Sequence, residues 1–422
     1  MELFLWQQRA RRDAAPHDGW GLFARPGTGK TLAALTIASD WDVLPVVVAP
    51  LAVKQQWRDQ GVMHVYHYEQ LRIARYQTEI ADLLQRRRCC LILDESHKIA
   101  NPSTATTKSA IRLGRLAAKR LILTGTPTAN SPADLWAQLR FLRPDSTIES
   151  HKSFKSRYLV GLPPSHPLML RIRGNPFIAR RNRDGTLMLQ NTEELSRRVR
   201  QYGTSVDESE IADLPTRTFV TRHGEASPEL RRAYEDMRRR CITEIHGHVL
   251  TAENAAVLAT RLLRLASGLG DADSTVKLPN PKLSLLLTDL DQIVQEGRTI
   301  IWSVWTQERE DIAAALRQTP YAWTDDVDVF QRDTTYRVLL GSPKVLGAGL
   351  NLQSATYQCW VSRTWSLIER EQALHRNYRV GQTNQTVVID YITGGTIEAQ
   401  VMRALDAKSN LLTLIMENGV IE

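Results

Sequence analysis

The sequence predicts an α/β fold with mainly parallel sheets in two lobes, and three observations predict it. A Gly/Pro-rich loop, Ala24 to Gly29, stands between an apolar run (Trp20, Leu22, Phe23) and a helical pattern opening at Lys30-Thr31. Strand-like apolar runs alternate with helical spacing on both sides of a basic stretch. A third run, Leu91-Ile92-Leu93, ends in Asp94-Glu95, and ligands of open α/β sheets bind at the carboxyl ends of the strands.

At 422 residues the chain is long enough for two or three cores. Its hydrophobic fraction of 42% is ordinary for a globular protein. No run approaches the roughly 18 apolar residues of a membrane span, so no membrane partner is expected. The opening MELFLWQQRARR puts acid and apolar groups ahead of the arginines, the reverse of a secretory signal, and implies a cytoplasmic protein. A formal net charge of +8 permits a polyanionic partner without demanding one. The four cysteines, Cys89, Cys90, Cys241 and Cys359, show no C-x-x-C spacing and read as free thiols.

In chain order, Leu3 to Trp6 is a short apolar run ending in Gln7, whose amide can both donate to and accept from an adenine edge. In the loop, Gly27 and Gly29 leave backbone N–H groups free to face phosphate oxygens around Thr28, and the following helix adds positive potential. Lys30 is placed to reach the β- and γ-phosphates and Thr31 to take a Mg²⁺ position. Pro45 to Pro50 encloses a β-branched buried strand, and His64 to Leu71 reads as a strand running into a helix start. Asp94 can hold Mg²⁺ while Glu95 orients or deprotonates an attacking water. Arg120 to Leu123 is a strand ending in Thr124-Gly125-Thr126-Pro127, whose hydroxyls can bridge the acid pair to a moving element.

From about 150 to 215 the rhythm fades into Arg- and Lys-rich segments, read as a basic helical insertion suited to a nucleic-acid track. Asp213 to Val220 is a strand, Ser227-Pro228 opens a helix, and helical spacing runs to about 280. Strands return at Thr299 to Val304 and Tyr336 to Ser342. Glycines then flank Asn351 and Gln353 in Gly347 to Gln353, where backbone can approach phosphate or sugar closely. Arg376 and Arg379 stand three apart, which predicts one helix face and a pair of guanidiniums for the charge of a transferring phosphoryl group. VVIDYITGG closes the sheet, and a helix runs to the end.

ARPGTGKT, LILDESH and LILTGTP, in that order, resemble the first RecA-like lobe of superfamily-two helicases. GAGLNLQSATYQCWVSRTWSLIEREQALHRNYRVGQ is similar to the later signature of Swi/Snf-type DNA-translocating ATPases, with Arg379-Val380-Gly381-Gln382 its most discriminating part. LPTRTFV and SPELRRAYEDM also resemble that family's middle region, and Pro281-Lys282-Leu283 resembles the lysine-leucine start of its second lobe. The resemblance implies two RecA-like lobes: residues 1–215, with the insertion at about 150–215, and residues 216–422, with a helical lead-in at about 227–280. By position it makes Gln7 the adenine reader and Lys30 and Thr31 the phosphate and Mg²⁺ residues. Asp94 and Glu95 become the acids, and His97, Thr124, Thr126 and Gln372 the coupling residues. Arg376 and Arg379 become the arginines that reach ATP from the second lobe. Gly349, Asn351, Gln353 and Trp365 fall in nucleic-acid-facing segments. Departures are Ser96 for the usual Ala, Arg25-Pro26 in the loop, Ser362-Arg363-Thr364 before the tryptophan, Leu367 for a proline, and a short connector from Trp305 to Gly341.

The expected function is that of an ATP- and Mg²⁺-dependent motor on double-stranded DNA, in a minimal member of bacterial or phage type. Two alternatives stay open. One is a helicase that separates strands of DNA or acts on RNA; the other is a DNA-binding scaffold that does not hydrolyse ATP.

Overall fold

The Val-rich run bounded by prolines lies second from one edge of a six-stranded sheet. A computed structural model describes residues 3–145, 148–163, 165–166, 169, 177–182, 186–206, 210, 214–245, 248–251, 255–270, 277–346 and 351–416. The chain divides into two units, residues 1–212 with 406–422, and residues 213–405.

In the first unit the strands are β1 (Gly19–Phe23), β2 (Leu44–Ala49), β3 (His64–His67), β4 (Cys89–Asp94), β5 (Lys119–Thr124) and β6 (Gly203–Ser205). They lie in the order β3-β2-β4-β5-β1-β6, and every pair is parallel. The middle strands are buried along nearly their whole length, which explains continuous apolar runs in place of alternation. The order sets the carboxyl ends of β4, β5 and β1 side by side.

The strand β6 went unread in the sequence because Gly-Thr-Ser carries no apolar signal. Its register pairs Gly203 with Gly21. A Cβ at Gly203 would fall 2.6 Å from the Gly21 carbonyl oxygen and 2.5 Å from the Phe23 ring, so the close approach selects glycine.

The insertion is only partly helical. Helices His151–Tyr158 and Thr192–Tyr202 flank a short antiparallel ladder. In it the Val160 N–H donates to Met188 (3.0 Å) and the Arg180 N–H to Val160 (2.7 Å). Part of its basic charge is held internally: Arg198 pairs with both Glu149 carboxylate oxygens, and Arg157 donates to Glu194 at 3.0 Å. Arg198 holds the Glu149 carboxyl below its ordinary range. These side chains therefore serve the insertion's own packing.

In the second unit β7 (Arg217–Gly224) is followed by the hairpin β8 (Ile242–Ile245) and β9 (His248–Thr251), in a region expected to be helical. Then come β10 (Thr299–Trp302), β11 (Trp323–Thr324), β12 (Val338–Gly341), β13 (Tyr357–Trp360) and β14 (Thr386–Thr393). The main sheet runs β11-β12-β10-β13-β14-β7, again all parallel. Leu286, Leu290, Ile301, Leu340 and Tyr391 pack in one core cluster. Trp302, Phe330, Trp360 and Leu374 pack in another. The helix Pro228–Arg240 starts as its sequence implies, with Ser227 Oγ accepting from the Leu230 N–H at 3.1 Å.

The helix Glu398–Met416 crosses the division: from Asp406 onward it groups with the first unit, whereas the sequence reading assigned it entirely to the second lobe. Lys408 Nζ donates to Asn130 Oδ1 at 3.3 Å within that first unit. Among the described residues no helix is long and apolar enough to cross a membrane.

Lys282, just inside the first turn of the helix Pro281–Glu296, is completely buried. Its ammonium donates to Ser267 Oγ (2.8 Å) and Glu398 Oε1 (2.7 Å), and lies 3.7 Å from Glu308 Oε1. Removing one member of such a set leaves uncompensated buried charge. Lys282→Met is therefore expected to destabilise the second unit by about 3 to 5 kcal/mol, read as a drop in denaturant midpoint.

Candidate functional site

The loop after β1 turns on two left-handed glycines, Gly27 at φ 82° and Gly29 at φ 87°, a conformation only glycine adopts at little cost. Gly29 caps the helix Lys30–Asp40. The loop satisfies its own polar groups. Lys30 Nζ donates to the Ala24 carbonyl (2.6 Å) and the Arg25 carbonyl (2.9 Å), and Thr28 Oγ1 donates to Arg25 (2.9 Å). Thr31 is half-buried in the helix's first turn. Gln7 is fully buried. Its Oε1 accepts from the Phe4 N–H at 2.9 Å and its Nε2 donates to the Gly29 carbonyl at 3.1 Å. In this conformation Gln7 is a staple between the N-terminal helix and the loop, using one donor and one acceptor of its amide.

At the end of β4, Asp94 Oδ2 accepts from Trp57 Nε1 at 2.8 Å, and the Asp94 carbonyl accepts from the Tyr68 hydroxyl at 2.7 Å. Burial beside the Glu95 charge pushes the Asp94 carboxyl up to about 6, against the pull of Trp57 and Lys30. The strand order β4-β5-β1 brings the acid turn and the loop to one edge of the sheet. Burial and the two acids keep the Tyr68 phenol well above its ordinary value. Glu95 itself is left-handed, at φ 54° and ψ 54°. For a residue with a Cβ this costs about 1 to 3 kcal/mol, a strain typical of functional turns.

His97 gathers the next set. Its Nδ1 lies 3.2 Å from Glu95 Oε2, 3.3 Å from Thr124 Oγ1 and 3.4 Å from Thr126 Oγ1. The acid turn and the turn after β5 thus meet on one imidazole. A second tie was invisible in the sequence. Ser96 Oγ donates to Gln138 Oε1 at 2.7 Å, and Gln138 Nε2 donates to the Pro127 carbonyl at 2.8 Å. Ser96, which stands where the family usually has Ala, fastens the acid turn to the same neighbour.

The oxygen donors Thr31 and Asp94 suit Mg²⁺, which prefers one or two carboxylates together with phosphate and water. Among the described residues no group of three His, Cys, Asp or Glu side chains is disposed to hold a metal. Retention of Mg²⁺ here would therefore rest on nucleotide phosphates.

In the second unit the expected arginine helix stops short. The helix Leu367–Leu374 ends at His375, and Arg376 and Arg379 lie in the turns beyond it, not on one helix face. Arg376 is buried and Arg379 half-buried. Arg379 Nε donates to the His375 carbonyl at 3.3 Å, and burial pushes its guanidinium below the ordinary value. Neutral amides hold this turn. Gln353 Nε2 donates to the Val380 (2.6 Å) and Arg379 (3.3 Å) carbonyls, while Gln382 Nε2 donates to the Gln353 and Asn377 carbonyls, both at 2.9 Å. Gln372 is half-buried on the preceding helix.

Of the residues expected to face nucleic acid, Gln353 is committed to the arginine turn, and Asn351 is exposed with its Nδ2 donating to Gln353 Oε1 at 2.9 Å. Trp365 is 37% exposed in the loop before the helix. Gly349 lies outside the described residues. Arg363, in the unusual Ser-Arg-Thr segment, is buried and donates to the Trp360 and Tyr391 carbonyls at 2.7 and 2.9 Å, beside Asp390. That departure is a core brace.

The family model for the SNF2-related domain matches residues 51–267, and the chain belongs to that family, whose members are DNA-dependent ATPases of helicase superfamily two. The two sheets are accordingly a pair of RecA-like lobes. The chain is 25% identical over 401 residues to the DNA excision repair protein ERCC-6-like of Mus musculus, covering 76% of this chain and 31% of that protein. It is 25% identical over 406 residues to the TATA-binding protein-associated factor mot1 of Aspergillus fumigatus, covering 82% and 20%. A solved Sulfolobus solfataricus SWI2/SNF2 ATPase core in complex with dsDNA aligns at TM-score 0.42 and 19% identity, covering 99% of this chain and 94% of that one. The chain spans less than a third of the length of these curated relatives.

If Gln353 supports the turn, Gln353→Ala is expected to destabilise the second unit by about 1 to 2 kcal/mol. Affinity for duplex DNA, measured by fluorescence anisotropy, is expected to stay within about twofold, since a bond to the protein's own backbone is what is lost.

Proposed function

We propose that this chain is a DNA-dependent ATPase that couples hydrolysis to movement along duplex DNA. The observation that carries the reading is the assembly of Lys30, Asp94, Glu95, His97, Thr124 and Thr126 at one edge of the first sheet.

In this reading Gly27 to Lys30 hold the ATP phosphates, with Lys30 exchanging its loop carbonyls for phosphate oxygens. Gln7 lies beside that loop on the side assigned to adenine. Thr31 and Asp94 hold Mg²⁺, which when bound neutralises charge on the β- and γ-phosphates. Glu95 orients the attacking water and takes its proton, held in place by His97. Arg376 and Arg379 supply positive charge as the γ-phosphoryl leaves. The same His97 contact with Thr124 and Thr126 passes the state of Glu95 to the turn after β5. Trp365 and the exposed Asn351 meet the DNA backbone, a contact that sequence-independent tracking requires to be salt-sensitive.

The test compares ATP hydrolysis with duplex DNA, single-stranded DNA and RNA, together with ATP-driven displacement of a third strand from a triplex. Duplex stimulation with triplex displacement is expected. Stimulation by RNA alone, or unwinding without triplex displacement, would replace this reading with the strand-separating one. Lys30→Ala is expected to lower ATP turnover by about 100-fold or more while DNA binding persists.

A further inference from the structure

Asp94 is approached from the side of the sheet opposite the phosphate loop. In the order β3-β2-β4-β5-β1, the loop follows β1, while β2 and β3 lie beyond β4. The segments after those two strands each send one side chain back to Asp94. Trp57, on the short helix Lys54–Asp59 after β2, donates its indole N–H to Oδ2. Tyr68, in the turn Tyr68–Arg72 after β3, donates its hydroxyl to the main-chain carbonyl. Both side chains are buried, Trp57 to 1% exposure.

We infer that Trp57 is a positioning residue for the Mg²⁺-holding acid, fixing the Asp94 carboxylate so that Oδ1 is the oxygen offered to the cation, with Tyr68 fixing the strand end beneath it. This rests on the reading of Asp94 given above and deepens it. The torsion of an aspartate carboxylate is broad and nearly two-fold, so the strand alone does not choose which oxygen faces the site. A rigid, buried indole does choose. It is also a neutral donor: unlike an arginine or lysine in the same place, it orients the carboxylate without cancelling the charge the cation needs. Outer partners of this kind are worth about 10- to 100-fold in metal affinity. The tryptophan carried no signal in the sequence, where LAVKQQW reads as an ordinary amphipathic helix.

The experiment measures binding of a fluorescent ADP analogue as Mg²⁺ is titrated, alongside thermal melting. Trp57→Phe keeps an aromatic ring and removes the donor. The expected result is at least a tenfold rise in the Mg²⁺ concentration at half-saturation, with nucleotide binding in EDTA unchanged. Tyr68→Phe, which spares the carboxylate, is expected to give a smaller rise. Should Trp57→Phe unfold, benzothienylalanine at position 57 replaces only the N–H by sulfur and is held to the same expectation. A variant that melts like the parent and keeps the parent's Mg²⁺ half-saturation overturns the inference. So does a variant that weakens binding equally with and without Mg²⁺, because that marks a packing role. If the unaltered protein binds nucleotide without regard to Mg²⁺, the assignment of Asp94 to Mg²⁺ falls, and this inference with it.

Discussion

Charge at the carboxyl edge of a buried parallel sheet has to be held by neighbours, and the first unit is built around that requirement. Asp94 ends a strand whose other residues are apolar and buried. Leaving its carboxylate there unaccompanied would favour the neutral acid, and burial does raise it. Trp57, Lys30 and the backbone of Glu95 oppose that rise. Trp57 and Lys30 reach Asp94 because β2 and β1 end at the same edge as β4, and Glu95 is the next residue in the chain. The topology is thus the means by which one carboxylate remains usable as an anion.

The second unit meets the complementary problem with different chemistry. It holds Arg376 and Arg379 in turns, with little regular structure around them. Neutral amides do this work: Gln353, Gln382 and Asn377 bind main-chain carbonyls or each other's backbone around residues 376 to 380. An amide can bind a carbonyl without introducing a carboxylate that would capture Arg379. Other acids of this unit have cationic partners of their own. Asp390 is taken by Arg370 and Arg363, and Glu398 and Glu308 by Lys282.

Much of this was legible in the residues, and what was not has physical causes. The β-branched runs at Pro45 to Pro50 and Leu91 to Leu93 announced buried strands, because only a sheet covered on both faces tolerates them. Gly27 and Gly29 announced a left-handed loop. The glycine strand β6 was silent, since close backbone approach needs an absent side chain and leaves no pattern. The two-residue β11 is too short for any periodicity. Arg376 and Arg379 at a spacing of three suggested a helix face, but Gly381 and the amide contacts of Gln353 favour a turn there. Gln353 looked like a DNA contact because glycines flank it; its partner, Val380, is 27 residues away in sequence, and separations of that kind are not readable from one chain. Trp57 and Ser96 act through equally distant partners.

Lys30 shows how such a site changes state at small cost. Its ammonium bonds to the Ala24 and Arg25 carbonyls of its own loop, so the charge is never stranded in the sheet's edge. A phosphate entering the loop would offer Lys30 anionic oxygens in place of neutral carbonyls, and bonds between charged partners are the stronger. Of the two carbonyls it releases, that of Arg25 is partly exposed and can turn to water, while that of Ala24 is buried. The exchange therefore trades bonds to neutral carbonyls for bonds to charged oxygens. The Gln7 bond to the Gly29 carbonyl pins the far end of the loop meanwhile, so the movement is confined to Ala24 to Thr28. A loop that depended on its ligand for order would have to fold at each turnover; this one has only to exchange partners.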